Sequence, residues 1–175
     1  MLSTNQKGCI AETAIIHQAT KLGVGVLKAI NDGSRYDLIF DLGDELVRVQ
    51  CKWASRTGDV IAVPCYSCRR TAGGLLKRTY SADEVDAFAA YCAAVDKCYF
   101  VRFDQLTGDS GIHLHLTPTR NNQRRGIHWA EEYEFGATLG TPGAVAQLGE
   151  RRHGMAEVRG SIPLGSTDLQ LFEAR

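Results

Sequence analysis

The chain has 175 residues, enough for one domain with a sizeable core and too few for two. Its 20 basic and 20 acidic side chains cancel, so net charge does not mark a nucleic-acid binder, and its 44% hydrophobic content is that of an ordinary soluble globular chain. No apolar run approaches the roughly 18 residues of a membrane span. No basic segment leading into an apolar stretch opens the chain as a secretion signal would, so a cytoplasmic, nucleoid-associated protein is expected.

Residues 5–22 read as a helix, with Ile10, Ala14, Ile15 and Leu22, joined by Ala11 and Ala19, spaced near a period of 3.6. Thr4 or Asn5 serves as its cap and Gly23 as its stop. Glu12 lies near the edge of the apolar stripe. His17 reads as a partly exposed helical residue. A first strand is expected over 24–30, followed by a turn at Asn31-Asp32-Gly33-Ser34.

Two strands then follow, at about 36–42 and 45–53, around Gly43-Asp44, one of the residue pairs that mark a two-residue hairpin loop. Pairing Leu42 with Glu45 places Asp37 directly opposite Gln50, with facing Cβ atoms about 5 Å apart. Lys52 lies two residues beyond Gln50 and shares its face. A carboxylate, an amide oxygen and an ammonium thus converge at the far end of one hairpin, a candidate metal-dependent active site. Apolar residues occupy both faces of this hairpin, which predicts a sheet covered on one side by the first helix and on the other by a second layer.

Gly58-Asp59 leads into a strand over 60–65. From Tyr66 to Tyr80 the chain is rich in Gly, Ser and Arg, and it reads as a basic loop or ribbon reaching over nucleic acid. Between Val60 and Ala82 stand Arg69, Arg70, Lys77 and Arg78 without one acid, and Arg120, Arg124 and Arg125 form a second cluster. Such segregation fits one basic face. Tyr66 and Tyr80 are placed to stack on, or hydrogen-bond to, the nucleic-acid backbone. Cys65 and Cys68 have zinc-knuckle spacing but no matching second pair, so no zinc site is expected. Cys51, Cys92 and Cys98 fall within apolar strand-like runs, as reduced core cysteines do.

Ser81-Ala82-Asp83-Glu84 reads as the start of a short helix, with a serine cap and early acids. Strands are expected over 87–93 and 97–103, joined at Val95-Asp96, and an edge strand over 112–116, whose His113 and His115 read as a solvent-facing pair. Residues 127–133 read as short and helical, anchored by Trp129. After about Gly136 the hydrophobic period disappears and Gly, Ala, Pro and Thr dominate, so 1–136 is taken as the domain and 137–175 as a low-order tail. In that tail Val145–Arg152 and Gly160–Thr167 resemble the peptide obtained by translating through a bacterial tRNA gene.

Four segments recur in a known order: Asn5-Gln6-Lys7-Gly8 before a helix carrying Glu12, then Arg35-Tyr36-Asp37, then Val49-Gln50-Cys51-Lys52, then Asn121–Glu131. Together, over roughly residues 4–136, they resemble the PD-(D/E)XK nucleases, in the branch of the group I intron homing endonucleases with a Gln-x-Lys variant. Two departures from the usual pattern stand out: Tyr36 replaces the proline, and Gln50 replaces the second acid. The resemblance implies an α/β, restriction-endonuclease-like core with a helix packed on a central mixed sheet. It implies Mg²⁺ as cofactor, with Mn²⁺ as a substitute, held by Glu12, Asp37, Gln50 and the backbone carbonyl of Cys51. Lys52 would orient the attacking water and offset charge on the pentavalent phosphorus.

Lys7, Arg35, Arg69, Arg70, Lys77, Arg78, Arg124 and Arg125 are the expected DNA contacts. The expected partner is double-stranded DNA, with a tRNA-gene locus as a candidate target, cut by a homodimer or homotetramer. Two other readings remain: a structure-selective resolvase or repair nuclease of the same fold, and a catalytically degenerate DNA-binding module.

Overall fold

A computed structural model describes residues 2–28, 33–106, 108, 111–118 and 126–140. Its first element is helix α1 (Thr4–Lys21), which begins one residue earlier than expected. Ser3 is the cap, in place of Thr4 or Asn5, because the Ser3-Thr4-Asn5-Gln6 spacing builds a capping box. Gln6 N–H donates to Ser3 Oγ at 3.3 Å, and Ser3 N–H donates to Gln6 Oε1 at 2.8 Å. Gly23 ends the helix at φ +81°, with Gly23 N–H donating to Thr20 O and Val24 N–H to Ala19 O. This is a Schellman closure, which needs a left-handed residue. Ala11, Ile15 and Ala19 face inward, and the two alanines let the helix lie close against the sheet, whereas Ile10 is 38% exposed.

That sheet has five strands: β1 (Gly25–Lys28), β2 (Leu38–Asp41), β3 (Leu46–Trp53), β8 (Ala87–Cys92) and β9 (Lys97–Arg102), in the order β1-β2-β3-β8-β9. It is mixed, since β3 and β8 run parallel while the other neighbours are antiparallel. The expected register holds: Leu38 pairs with Val49 and Phe40 with Val47, around a loop in which Gly43 takes φ +96°. A positive φ at the first loop position suits a glycine in a hairpin turn. Leu38, Phe40, Val47 and Val49 turn one way and join Ala11, Ile15 and Ala19 of α1 in a first core. Phe40 stacks on Phe100 at 6.0 Å, and Phe135 meets both edge-on. Each fully buried side chain of this size contributes about 1.5–3 kcal/mol. Central β8 is apolar almost throughout, as a strand buried on both faces must be.

The opposite face carries a second core, built with a four-stranded sheet in the order β11-β10-β5-β4. Its strands are β4 (Ser55–Thr57), β5 (Val60–Pro64), β10 (Gly111–His115) and β11 (His128–Trp129). The helix–sheet–second-layer arrangement read from the two-faced hairpin is therefore the one observed. A separate two-stranded ribbon, β6 (Tyr66–Thr71) with β7 (Gly74–Thr79), stands out from both sheets, and every side chain of β7 is exposed.

Several sequence expectations differ from this architecture. β10 is not an edge strand, because β11 adds parallel to its outer side. Residues 127–133 are therefore a two-residue strand followed by one helical turn, α2 (Ala130–Tyr133), rather than helix throughout. Residues 81–84 form turns and no helix: Glu84 N–H and Val85 N–H both return to Ser81 O, and the next N–H, of Asp86, is already spent on Arg48 O beside β8. The chain must enter the sheet at once. The folded part also runs past residue 136, since α3 (Phe135–Thr138) leads to Leu139, which is buried in the first core. Expectations for residues 29–32, 119–125 and 141–175, including the tRNA-like segments, lie outside the described residues.

Candidate active site

The β2–β3 ladder ends at Leu38 and Val49, and the residue just before β2 is Asp37. Its own N–H donates to Val49 O at 2.9 Å, which fixes the backbone. Its Oδ2 accepts from the Cys51 N–H at 2.7 Å and from the side-chain amide of Gln50. The carboxylate thereby stands where a further strand carbonyl would otherwise satisfy Cys51. Within a strand the N–H and C=O of one residue point to the same side. The Cys51 carbonyl therefore lies on the Asp37 edge of β3, while its thiol packs toward the first core and burial pushes it well above the usual thiol range.

Burial raises the Asp37 carboxyl above its ordinary range, the nearby Glu12 carboxylate raises it further, and Cys51 N–H, Lys52 and Gln50 pull the other way without prevailing. Glu12 arrives from α1 and is paired with Lys28 of β1. The structure thus holds two interacting carboxylates, one desolvated and without a cation in direct contact among the described residues. These hard oxygens, with the Asp37 charge unpaired among the described residues, suit a divalent cation of the Mg²⁺ type. With its NH₂ group committed to Asp37, Gln50 has Oε1 left for such an ion. Among the described residues no group of three or more His, Cys, Asp or Glu is placed to hold a metal, so a cation here would depend on the amide and main-chain oxygens as well.

Lys52 lies on the Gln50 face, as the strand period requires, but among the described residues its ammonium is not paired with a carboxylate. It donates to Tyr66 O at 3.0 Å and to Tyr80 Oη at 3.1 Å, and it sits 4.7 Å from the centre of the Tyr80 ring. Burial pushes it down to about 8.

The expected DNA contacts divide. Arg69 and Arg70 are exposed on β6. Lys77 lies over the Tyr66 ring at 4.2 Å, and Arg78 pairs with Glu84 at 2.6 Å while remaining exposed. Lys7 stands 5.8 Å over the Trp53 ring at the end of β3. Arg35 is occupied within the fold: Nε donates to Glu84 at 3.0 Å, Nη2 donates to Thr79 O at 3.0 Å, and the guanidinium stacks on Tyr80 at 4.1 Å. Arg124 and Arg125 lie outside the described residues. Cys65 is buried and Cys68 is exposed on the ribbon.

Three residues of this neighbourhood were not singled out for it by sequence. Lys28 pairs with Glu12 only because α1 lies across β1, a contact no local pattern reveals. Asp86 grips Arg48 through both oxygens. Tyr80, read as a nucleic-acid contact, turns inward to Lys52 and Arg35.

A helix-backed mixed sheet thus carries an acid at one strand end and a Gln-x-Lys step on the next strand. The family model of the PD-(D/E)XK endonucleases matches residues 2–136, and the chain belongs to that family. It is similar to the solved structure of a bacterial homing endonuclease, I-Ssp6803I, with 29% identity and a TM-score of 0.63, over 87% of this chain and 99% of that one. No curated protein matches the sequence.

Proposed function

We propose that the protein is a site-specific endonuclease of the homing type, of the Gln-x-Lys branch, which hydrolyses phosphodiester bonds of double-stranded DNA with Mg²⁺, or Mn²⁺ in its place. The observation that carries this reading is the meeting of Asp37, Gln50 and the Cys51 main chain at one strand end, with Lys52 on the same face. Glu12, Asp37, Gln50 Oε1 and the Cys51 carbonyl would hold the cation. That ion would supply charge neutralisation at the phosphate and a more acidic water. Lys52 presents an ammonium that, among the described residues, bonds to two neutral oxygens and to no carboxylate, which leaves it a charge and an N–H to orient a water and offset charge on phosphorus.

The β6–β7 ribbon, with Arg69, Arg70, Lys77 and Arg78, is of a shape that the major groove admits. Lys7, Arg124 and Arg125 would add phosphate contacts, and a homodimer or homotetramer in the cytoplasm would bring two sites to the two strands. Likeness to a homing endonuclease supports this reading. The test is incubation with the flanking locus, including any tRNA gene there, with and without Mg²⁺, read on a sequencing gel. Defined cuts that need the metal are expected, and their absence on every duplex offered would refute the assignment.

The neutral amide of Gln50 favours a second reading, a DNA-binding module that has lost cleavage. Such a protein would retain the duplex and show no Mg²⁺-dependent nicking. Cleavage of a mobile four-way junction without duplex cutting would instead favour a resolvase.

A further inference from the structure

Tyr80 stands at the base of the ribbon, between Lys52, Arg35 and Phe88. Its hydroxyl lies 3.1 Å from Lys52 Nζ, and its ring is covered by Arg35 at 4.1 Å and abuts Phe88 at 5.4 Å, tilted by 76°. Phe88 is fully buried and pairs with Gln50 across β3 and β8, so the ring rests on the same strands that carry the site. The second holder of Lys52 is Tyr66 O, at the opposite foot of the ribbon, where Tyr66 pairs with Thr79. An ammonium on a four-carbon stem has many rotamers, and among the described residues these two oxygens are its hydrogen-bond partners, with the Tyr80 ring 4.7 Å from the nitrogen.

We infer that Tyr80 is the positioning residue of Lys52, and that through it and Tyr66 the seating of the ribbon sets where the ammonium stands. This rests on the reading of Lys52 as a residue of the cleavage reaction. The hydroxyl acts by geometry alone, and no proton need move. A neutral acceptor suits the task, because a carboxylate at that place would cancel the charge that phosphorus requires. Arg35 serves the same end one step further out. By holding Glu84, Thr79 O, Ser67 Oγ and the Tyr80 ring together, it ties both strands' ends to the body of the protein.

The test is Tyr80→Phe in the full-length protein, which keeps the ring contacts with Arg35 and Phe88 and removes only the oxygen. Single-turnover cutting at saturating DNA with Mg²⁺ should slow by between about tenfold and about a hundredfold, while duplex affinity, measured with Ca²⁺, stays within about twofold. A purely structural tyrosine would lower the melting midpoint and the affinity together. Proton–nitrogen correlation of the lysine ammonium groups supplies an independent readout. The wild-type protein should show a protected Lys52 Nζ signal that Tyr80→Phe abolishes. Cutting by Tyr80→Phe at the wild-type rate beside an inactive Lys52→Ala overturns the inference and leaves the nuclease reading standing. Wild-type cutting by Lys52→Ala overturns the reading of Lys52 as a residue of the cleavage reaction, and this inference with it, while leaving the protein a nuclease. Should Tyr80→Phe fail to fold, the wild-type spectrum decides: a Lys52 signal lost to rapid exchange overturns the inference.

Discussion

Gln50 gives its side-chain N–H to the same oxygen of Asp37 that accepts the Cys51 N–H, so one carboxylate oxygen takes two donors. An acid at position 50 would withdraw one of these donors and set a like charge beside Asp37. Gln50→Glu is therefore expected to lower the melting midpoint in EDTA and to raise it as Mg²⁺ is added. The Mg²⁺ concentration for half-maximal cutting should fall by about five- to tenfold, because ligand charge sets affinity for hard cations. A titration indistinguishable from wild type would remove Gln50 from the cation site.

Asp37→Asn and Lys52→Ala probe the two charges directly. Each should reduce the cutting rate by about a hundred- to a thousandfold or more, while filter binding to duplex DNA persists. Asp37→Asn keeps an oxygen for the Cys51 N–H, so its fold should hold. Robust cutting by either protein refutes the assignment of that residue.

Arg69 and Arg70 stand on an exposed ribbon remote from both cores, so replacing them with alanine should leave the melting midpoint within about 1 °C. If both neutralise phosphates, the slope of log affinity against log salt should become shallower by about two. Equal slopes for the two proteins would place the DNA elsewhere.

Asp86 carries a pH dependence whose sign is fixed. The Arg48 guanidinium, with the Arg48 N–H at 2.8 Å, holds its carboxyl below the ordinary carboxylate value. A carboxylate depressed in the folded state stabilises above its unfolded pKa and loses that contribution as pH falls through the folded one. Asp86→Asn should thus cost about 1–2 kcal/mol at pH 7, allowing for partial solvent screening. The gap between the two proteins should narrow below about pH 4 in urea melts. A constant gap across that range would show that the ion pair is not its source.

Truncation separates fold from tail. Ending the chain after residue 140 should leave cutting intact, whereas ending it after residue 136 removes Leu139, 3% exposed in the first core, at a cost of about 2–3 kcal/mol. Loss of activity on removing 141–175 would give the tail a role. Sequencing the locus tests its origin: a tRNA gene should underlie codons 145–167.

The central hairpin was legible because its signals are local. Gly43-Asp44 marks the loop, and strict alternation then decides which side chains share a face, so Asp37, Gln50 and Lys52 follow from counting. What the sequence hid depends on elements meeting from afar. Lys52 takes its partners from the feet of a ribbon 14 and 28 residues away, and Arg35 reaches Glu84 over 49. A basic residue before a candidate active-site acid reads as a DNA contact until its acidic partner is located in space. The Ser81–Glu84 segment carries a sound helix-start signal, yet the demand to deliver Val85 and Asp86 into the sheet overrides it. Likewise 127–133 has helical composition, and two of its residues are recruited to cover β10.

The ribbon departs and returns at one pair of facing residues, Tyr66 and Thr79. A loop-out whose ends adjoin can be lengthened, shortened or traded for another without pulling on the strands beneath it. If the ribbon reads DNA as proposed, such a graft would act like an interchangeable cassette, on one condition: the incoming piece must restore a main-chain oxygen at its first residue and a tyrosine hydroxyl just beyond its last.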